Sequence, residues 1–282
     1  PNQIIEWLHS IGVATDPVIR DIAPHVPPHS LRCIVAAPSE AVFLWSELKD
    51  AQICCEVFDV HQSNEVTHPR ILDFGCGCGR ITRFMQILPN VEVHGSDVNR
   101  SLVEWCQANL PAVTTKQNDF LPPLPFADAE FNFIYSVSIF THLPEESMFA
   151  WLNELARVAA DNAVIMLTTH GHNALNIICS SAQHQELFAL TQSDAESLRN
   201  RLDKEGFLYV PYGKTTIEVA NAGPDYGNSF THEEFIRTKW TRDELQLIQF
   251  IPGGLRGWQD IAVLRRSPRQ VNPESGVSAY EQ

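Results

Sequence analysis

The 282-residue chain contains no apolar run long enough to span a bilayer and no basic-then-apolar leader. No membrane partner is therefore expected, and the cytoplasm is the expected location. A chain that opens on Pro1 suggests that the true start is missing. Basic residues are in short supply, 20 against 34 acidic ones, for a net charge of −14. That balance disfavours nucleic acid as the main partner, because affinity for a phosphate backbone comes from clustered Lys and Arg. The seven cysteines are odd in number and include no C-x-x-C pair, which speaks against a disulfide framework and a zinc ribbon. The composition is otherwise ordinary for a globular chain, 44% hydrophobic and 19% charged, and its length allows one elaborated domain or two small ones.

What the chain does have is the stretch Ile71-Leu72-Asp73-Phe74-Gly75-Cys76-Gly77-Cys78-Gly79-Arg80. Branched apolar residues run into an acid, three glycines alternate with cysteines, and Ile81, Phe84, Met85 and Leu88 follow at helical spacing. The pattern reads as strand, glycine turn and helix. A turn without Cβ atoms lets a ligand lie against the backbone, and the free N–H groups of the next helix are open to a carboxylate. Arg80 stands where G-x-G-x-x-G would need glycine, which disfavours a nicotinamide-dependent oxidoreductase. Cys76 and Cys78 occupy positions that need small residues and are read as packing groups, not metal ligands. The string D-x-G-x-G-x-G resembles the first motif of the class I S-adenosylmethionine-dependent methyltransferases.

The register of the following segments fits that resemblance. Val91 to Ser96 reads as a second strand ending in Asp97, 18 positions after Gly79, where a doubly wound sheet brings a carboxylate to a ribose. Val113 to Lys116 is a third strand, followed by Gln117-Asn118-Asp119-Phe120. The resemblance implies Asp119 at the adenine amino group, with Asn118 and Phe120 along the ring. Leu121 to Phe131 resembles the family's "L-P-F-x-D-x-x-F-D" lead-in, with Asn132 in place of its last Asp. Phe133 to Ser138 is a fourth strand, apolar enough to be covered on both faces, and Ala163 to Thr169 is a fifth. Leu245–Ile251 and Gln259–Leu264 form a final antiparallel pair around the turn Pro252-Gly253-Gly254. The implied fold is α/β: a doubly wound, seven-stranded, mostly parallel sheet with N-terminal helices and a helical insertion before the last strands. The implied cofactor is S-adenosyl-L-methionine, leaving as S-adenosyl-L-homocysteine. The residues expected to hold it are Asp73, Gly75, Cys76, Gly77, Gly79, Asp97, Val98, Asn118, Asp119, Phe120, Ser136 and Val137.

Around this core, residues 1–68 read as a helical extension, with one short helix over Ile4 to Ile11 and a second opened by Ser39. A cover for the cofactor or substrate pocket and a packing or homodimer contact stand as equal alternatives for it. The methyltransferase domain covers 69–266. Its insertion, 173–212, carries a Ser193–Glu196 capping box and a helix stop at Gly206. Ser101 and Glu104 form a second capping-box spacing, Pro144-Glu145-Glu146 opens a helix, and Thr231 to Trp240 reads as another. Residues 267–282 read as a disordered tail. Tyr226-Gly227-x-Ser229-Phe230, the Trp240 helix, the Pro-Gly-Gly turn and Gln259-Asp260 resemble a methyltransferase subgroup of glycan and natural-product biosynthesis.

Methyl transfer from a sulfonium is an in-line displacement, so the protein mainly has to align the nucleophile. A hydroxyl acceptor gains from a base within hydrogen-bonding reach, a task that suits histidine. His142, after the fourth strand, is the first candidate and His170, after the fifth, the second. His172, Tyr226 and His232, with Asp260, are weaker candidates on the substrate side. His170, His172 and a carboxylate could instead hold a divalent metal, although no metal is the preferred reading. The leading expectation is O-methylation of a small-molecule acceptor, a sugar or secondary metabolite. An N-methyltransferase, which has less need of a base, and a non-catalytic S-adenosylmethionine-binding regulatory subunit are the alternatives. A DNA methyltransferase is disfavoured, because Ser136-Val137-Ser138 stands where Asn/Asp-Pro-Pro-aromatic would be.

Overall fold

The computed structural model describes residues 25–37, 39–63, 65–212, 225–242 and 244–269. The expected helix over Ile4 to Ile11 and the tail from residue 270 onward lie outside these residues. Seven strands form one sheet: β1 (Arg70–Phe74), β2 (Glu92–Asp97), β3 (Val113–Gln117), β4 (Phe131–Ser136), β5 (Ala159–Thr169), β8 (Leu245–Leu255) and β9 (Gln259–Arg266). Their order is β3-β2-β1-β4-β5-β9-β8. The first five run parallel, and β9 lies antiparallel to both β5 and β8. The strand order reverses between β1 and β4, and the crevice at their carboxyl ends is where such sheets bind ligands.

Alternation along the strands sends side chains to two cores. Ile71, Phe133, Tyr135, Met166 and Val263 pack on one face with Phe43, Leu48 and Phe58 of helix α2 (Glu40–His61) and with Phe84, Met85 and Leu102. Leu72, Phe74, Ile134, Ile165 and Leu167 pack on the other. There they meet Trp151, Leu152 and Leu155 of helix α5 (Glu145–Val158). Burial of each such side chain contributes roughly 1.5–3 kcal/mol. Helix α5 opens at Pro144 with Glu145 and Glu146 in its first turn, where acids favour the helix dipole. Helix α2 starts directly after Ser39, preceded by the short α1 (His29–Ile34).

Several local details differ from the sequence reading. The helix after the glycine turn, α3 (Thr82–Met85), is a single turn. Buried Arg83 bonds the Gly79 and Cys78 carbonyls at 2.8 and 3.1 Å, and Pro89 bars helical backbone at Leu88. Helix α4 (Arg100–Asn109) is capped by Asn99, whose side chain accepts the Ser101 and Leu102 N–H groups, so Ser101 is not the cap. In the insertion, α6 (His172–Ser180), α7 (Ala182–Phe188) and α8 (Gln192–Glu205) lead into β6 (Phe207–Pro211). The capping box is Thr191 with Asp194, two residues earlier than Ser193–Glu196, and Gly206 ends the helix in the left-handed region as expected. β6 pairs antiparallel with β7 (Gly227–Thr231), a second small sheet that the sequence reading assigned to no strand. Helix α9 (Glu233–Phe235) therefore starts only after His232 and continues as a π-helix, Ile236–Trp240. Pro252-Gly253-Gly254 lies inside β8, at a break in its register with β9, and the turn is Arg256-Gly257-Trp258. Arg269, expected in the tail, bonds Asp161 at 2.8 Å and the Arg157 and Ala159 carbonyls at 2.9 Å. Asn132 keeps a polar role: its Oδ1 accepts the Arg70 N–H at 2.9 Å.

Candidate active site

A cavity of about 660 Å3 opens at the carboxyl ends of β1, β2 and β4. One half of it is built from backbone. Gly75 and Cys76 donate their N–H groups to the Ser96 carbonyl at 2.8 and 2.9 Å, which folds the turn back onto β2. Gly75 and Gly77 have φ of +84° and +55°, and a Cβ on Gly75 would overlap the Ile139 side chain. Only glycine fits there without strain. Asp97 accepts the Gly77 N–H at 2.9 Å and the Asn99 N–H at 2.8 Å. Each of its oxygens keeps a lone pair for a ligand in the cavity. Burial pushes its carboxyl up, against those two backbone bonds. Asn118 is 6% exposed, lines the same wall, and its Oδ1 has no hydrogen-bond partner. Val98, Phe120 and Val137 complete this half.

Five of the residues expected at the cofactor do not line the cavity. Asp73 lies beneath the turn, 3% exposed, accepting the Thr82 hydroxyl at 2.6 Å and the Tyr135 hydroxyl at 2.9 Å. Burial pushes its carboxyl up to about 7, against those two bonds. Ser136 donates to the Phe74 carbonyl at 2.9 Å and ties β4 to β1. Cys76 is buried with its Sγ toward the Gly77 carbonyl, and Gly79 makes room for Leu110 and Cys106 of the next helical layer. Asp119 is exposed, so the polar group presented to the cavity from this loop is Asn118.

The other half is built from side chains. His142 Nδ1 lies 2.9 Å from the Gly227 carbonyl and 2.9 Å from the Tyr212 hydroxyl. A carbonyl only accepts, so Nδ1 carries the ring proton and Nε2 keeps the lone pair. Burial holds His142 below its ordinary value of 6.5, with the Gly227 carbonyl pulling the other way. Tyr226 stacks on the same ring at 5.9 Å, and the His170 ring stands across it at 6.3 Å. His170 is 3% exposed and is pushed down to about 3 by burial and by the charge that His142 would carry.

His172 and His232 stand elsewhere, a departure from the expected substrate side. Past Gly171 the chain turns into α6, and His172 Nε2 meets Asp203 at 3.0 Å, away from His170 in the cavity. His232 Nδ1 accepts the Glu234 N–H at 3.0 Å as a helix cap, which leaves its ring proton on Nε2, 3.9 Å from the same carboxylate. His172, Asp203 and His232 bring ligand-type atoms within 4.8 Å of one another. With a proton on its Nε2, His232 has no lone pair there for a metal. Asp260 accepts the Gly253 N–H at 2.7 Å and pins the β8 bulge.

Several cavity residues carried no signal in the sequence. Tyr212, Phe188, His184 and Trp258 line the second half, and Arg256 reaches it from the β8–β9 turn while paired with buried Asp50 at 2.9 Å. Only the end-of-sheet position of the β8–β9 turn could have pointed to Trp258.

A reversed strand order with its switch point at a glycine turn, an acid at the end of β2 and an antiparallel final strand define the class I methyltransferase fold. Residues 71–162 match the family described as methyltransferase domain. The chain thus carries a class I S-adenosylmethionine-dependent methyltransferase domain, and S-adenosylmethionine is its cofactor. Gly75, Gly77, Asp97 and Asn118 fit that group: bare backbone, spare carboxylate lone pairs and an orphaned amide oxygen. Ajmaline N-methyltransferase of Rauvolfia serpentina is 23% identical over 199 residues, 68% of this chain and 66% of the relative. A "probable tocopherol O-methyltransferase, chloroplastic" of Oryza sativa subsp. japonica is 30% identical over 125 residues, 42% of this chain and 33% of the relative. The chain thus spans just under two thirds of the first relative's length and a third of the second's. An S-adenosylmethionine-dependent methyltransferase from Methanosarcina mazei superposes with a TM-score of 0.49 at 15% identity, over 76% of this chain and 98% of that one. One from Aquifex aeolicus gives 0.47 at 13% identity, over 86% and 100%.

Proposed function

We propose that the chain moves a methyl group from S-adenosylmethionine to a hydroxyl of a small molecule, with His142 as the base. The observation that carries this reading is the tautomer of His142. Its Nδ1–H is spent on the Gly227 carbonyl, so a neutral Nε2 stands in the wall of the cavity. Bound S-adenosylmethionine supplies a methyl on a sulfonium, which departs as the thioether S-adenosylhomocysteine. Asp97 and Asn118 would hold the ribose and adenine ends, and the Gly75–Gly77 turn the amino-acid end. His142 Nε2 takes the hydroxyl proton as the acceptor oxygen gains the methyl, and later gives that proton to water. Tyr226 against one face of the imidazole keeps the ring in place. Because burial depresses its pKa, His142 is in its base form at neutral pH.

Replacement of His142 by Ala is expected to lower kcat about 10²–10⁴-fold, the usual worth of a positioned base, with S-adenosylhomocysteine affinity unchanged. In the wild type, turnover falls on the acid side with a midpoint below 6.5, as His142 gains a proton. A His142→Ala enzyme at wild-type rate would favour transfer to nitrogen. That second reading is supported by the relative named for ajmaline N-methylation.

A further inference from the structure

We infer that Arg83 is a positioning residue for the cofactor: acting through the glycine turn, it holds the Asp97 carboxylate in place for the ribose. The inference rests on the reading above in which Asp97 takes the ribose end.

Arg83 is fully buried and is not among the residues that line the cavity. Its guanidinium is held from several sides. Nε donates to the Gly79 carbonyl at 2.8 Å, Nη2 to the Cys78 carbonyl at 3.1 Å and Nη1 to the His25 carbonyl at 2.8 Å. Its Cζ lies 4.7 Å from the ring centre of Phe43, on α2, and 5.4 Å from that of Trp105, on α4, where ring faces attract a cation. Packing alone does not account for a guanidinium at this point. Taking a charge out of water is costly, and an apolar side chain would avoid that cost. What the guanidinium adds is direction, a rigid fork of donors that fixes the carbonyls it meets.

Those carbonyls open a chain of hydrogen bonds that ends on Asp97. A peptide unit is planar, with its C=O and N–H opposed. The unit whose Cys78 oxygen faces Arg83 therefore turns its Gly79 N–H the other way, to the Cys76 carbonyl at 2.9 Å. The Cys76 unit in turn carries the Gly77 N–H, which donates to Asp97 Oδ2 at 2.9 Å. A cation thus stands at one end of two linked peptide dipoles and a carboxylate at the other, and each bond in such a run polarises the next. Gly77 and Gly79, at φ +55° and +71°, give these units little stiffness of their own. Without the guanidinium the Cys78 carbonyl loses its anchor, and the Gly77 N–H no longer meets Asp97 in a fixed direction.

The test is titration of S-adenosylhomocysteine into the full chain as wild type, Arg83→Met, Asp97→Ala and the double variant. Arg83→Met keeps an unbranched apolar stem and is expected to bind about tenfold more weakly than the wild type, the low end of a charge-assisted hydrogen bond's worth. Because Arg83 acts through Asp97, the same substitution made in Asp97→Ala should cost less than about twofold, so the two losses do not add. A residue that only supports the fold would cost the same factor in both backgrounds. Cooperative thermal unfolding shows that each variant folds. If Arg83→Met does not, the cycle is read with Arg83→Lys, which keeps a cation but not the fork and should lose about fivefold, again only where Asp97 is present. Wild-type affinity in the Arg83 variant, or an equal loss in both backgrounds, would overturn the proposal. Asp97→Ala binding as tightly as the wild type would instead overturn the ribose reading on which it rests.

Discussion

The two halves of the cavity are made by different means. The cofactor half is backbone: a turn from Gly75 to Gly79 and an acid that hydrogen-bonds it, Asp97, all within one strand–turn–strand unit. The acceptor half is side chains, and they come from far apart, from His142 through His170, Phe188, Tyr212 and Tyr226 to Trp258. Backbone close approach needs glycine at fixed positions and tolerates no substitute. A wall of rings can be rebuilt from many residue types. The first half therefore commits the chain to a cofactor, and the second is free to set the acceptor.

Breaking the backbone half gives the largest effect. Gly75→Val places a branched side chain at φ +84° and into Ile139, and S-adenosylhomocysteine affinity should drop beyond about a hundredfold by calorimetry, since such strain costs some 1–3 kcal/mol before any clash with ligand. The His142→Ala loss described above sharpens the contrast from the other side, because it strikes rate and spares cofactor affinity. The smallest effect concerns the support beneath the turn. Asp73 has a folded pKa of about 7 against an ordinary value of 3.8. The folded state thus holds this proton more tightly than the unfolded chain does. The stability it contributes is whole below pH 3.8 and is lost as pH rises through about 7. Asp73→Asn keeps an acceptor for Thr82 and Tyr135 but cannot ionise. Its Tm should fall less than the wild type's between pH 4 and pH 7, by at least about 2 °C. Parallel curves would mean that Asp73 does not titrate in that range.

The same division governs what could be read from the sequence. The doubly wound sheet and its antiparallel last pair were legible through the resemblance that the apolar strands and one glycine turn with an acid 18 residues on carry, and the strand order comes from the structure. Asp97, Gly75 and Gly77 were legible because backbone requirements leave a fixed spacing. Asp73 and Ser136 carry the same motif positions but serve the packing beneath, and burial cannot be read from spacing. The β6–β7 pair was hidden by a distance: its strands are separated by residues 212–226 and pair across them. Trp258, Phe188 and Tyr212 had no pattern to betray them, because only the fold brings their segments to one edge. His172 was misjudged for a similar reason. A single residue, Gly171, separates it from His170 in the chain, yet the start of α6 sends it to Asp203.

Calorimetric titration of S-adenosylhomocysteine into the wild type and Asp97→Ala, with NAD as the control ligand, tests the central claim most directly. The account predicts binding in the micromolar range by the wild type, a loss of about 10- to 100-fold in the variant from a charged hydrogen bond's removal, and no heat with NAD. Binding of NAD in place of S-adenosylhomocysteine, or equal affinity in both proteins, would contradict it.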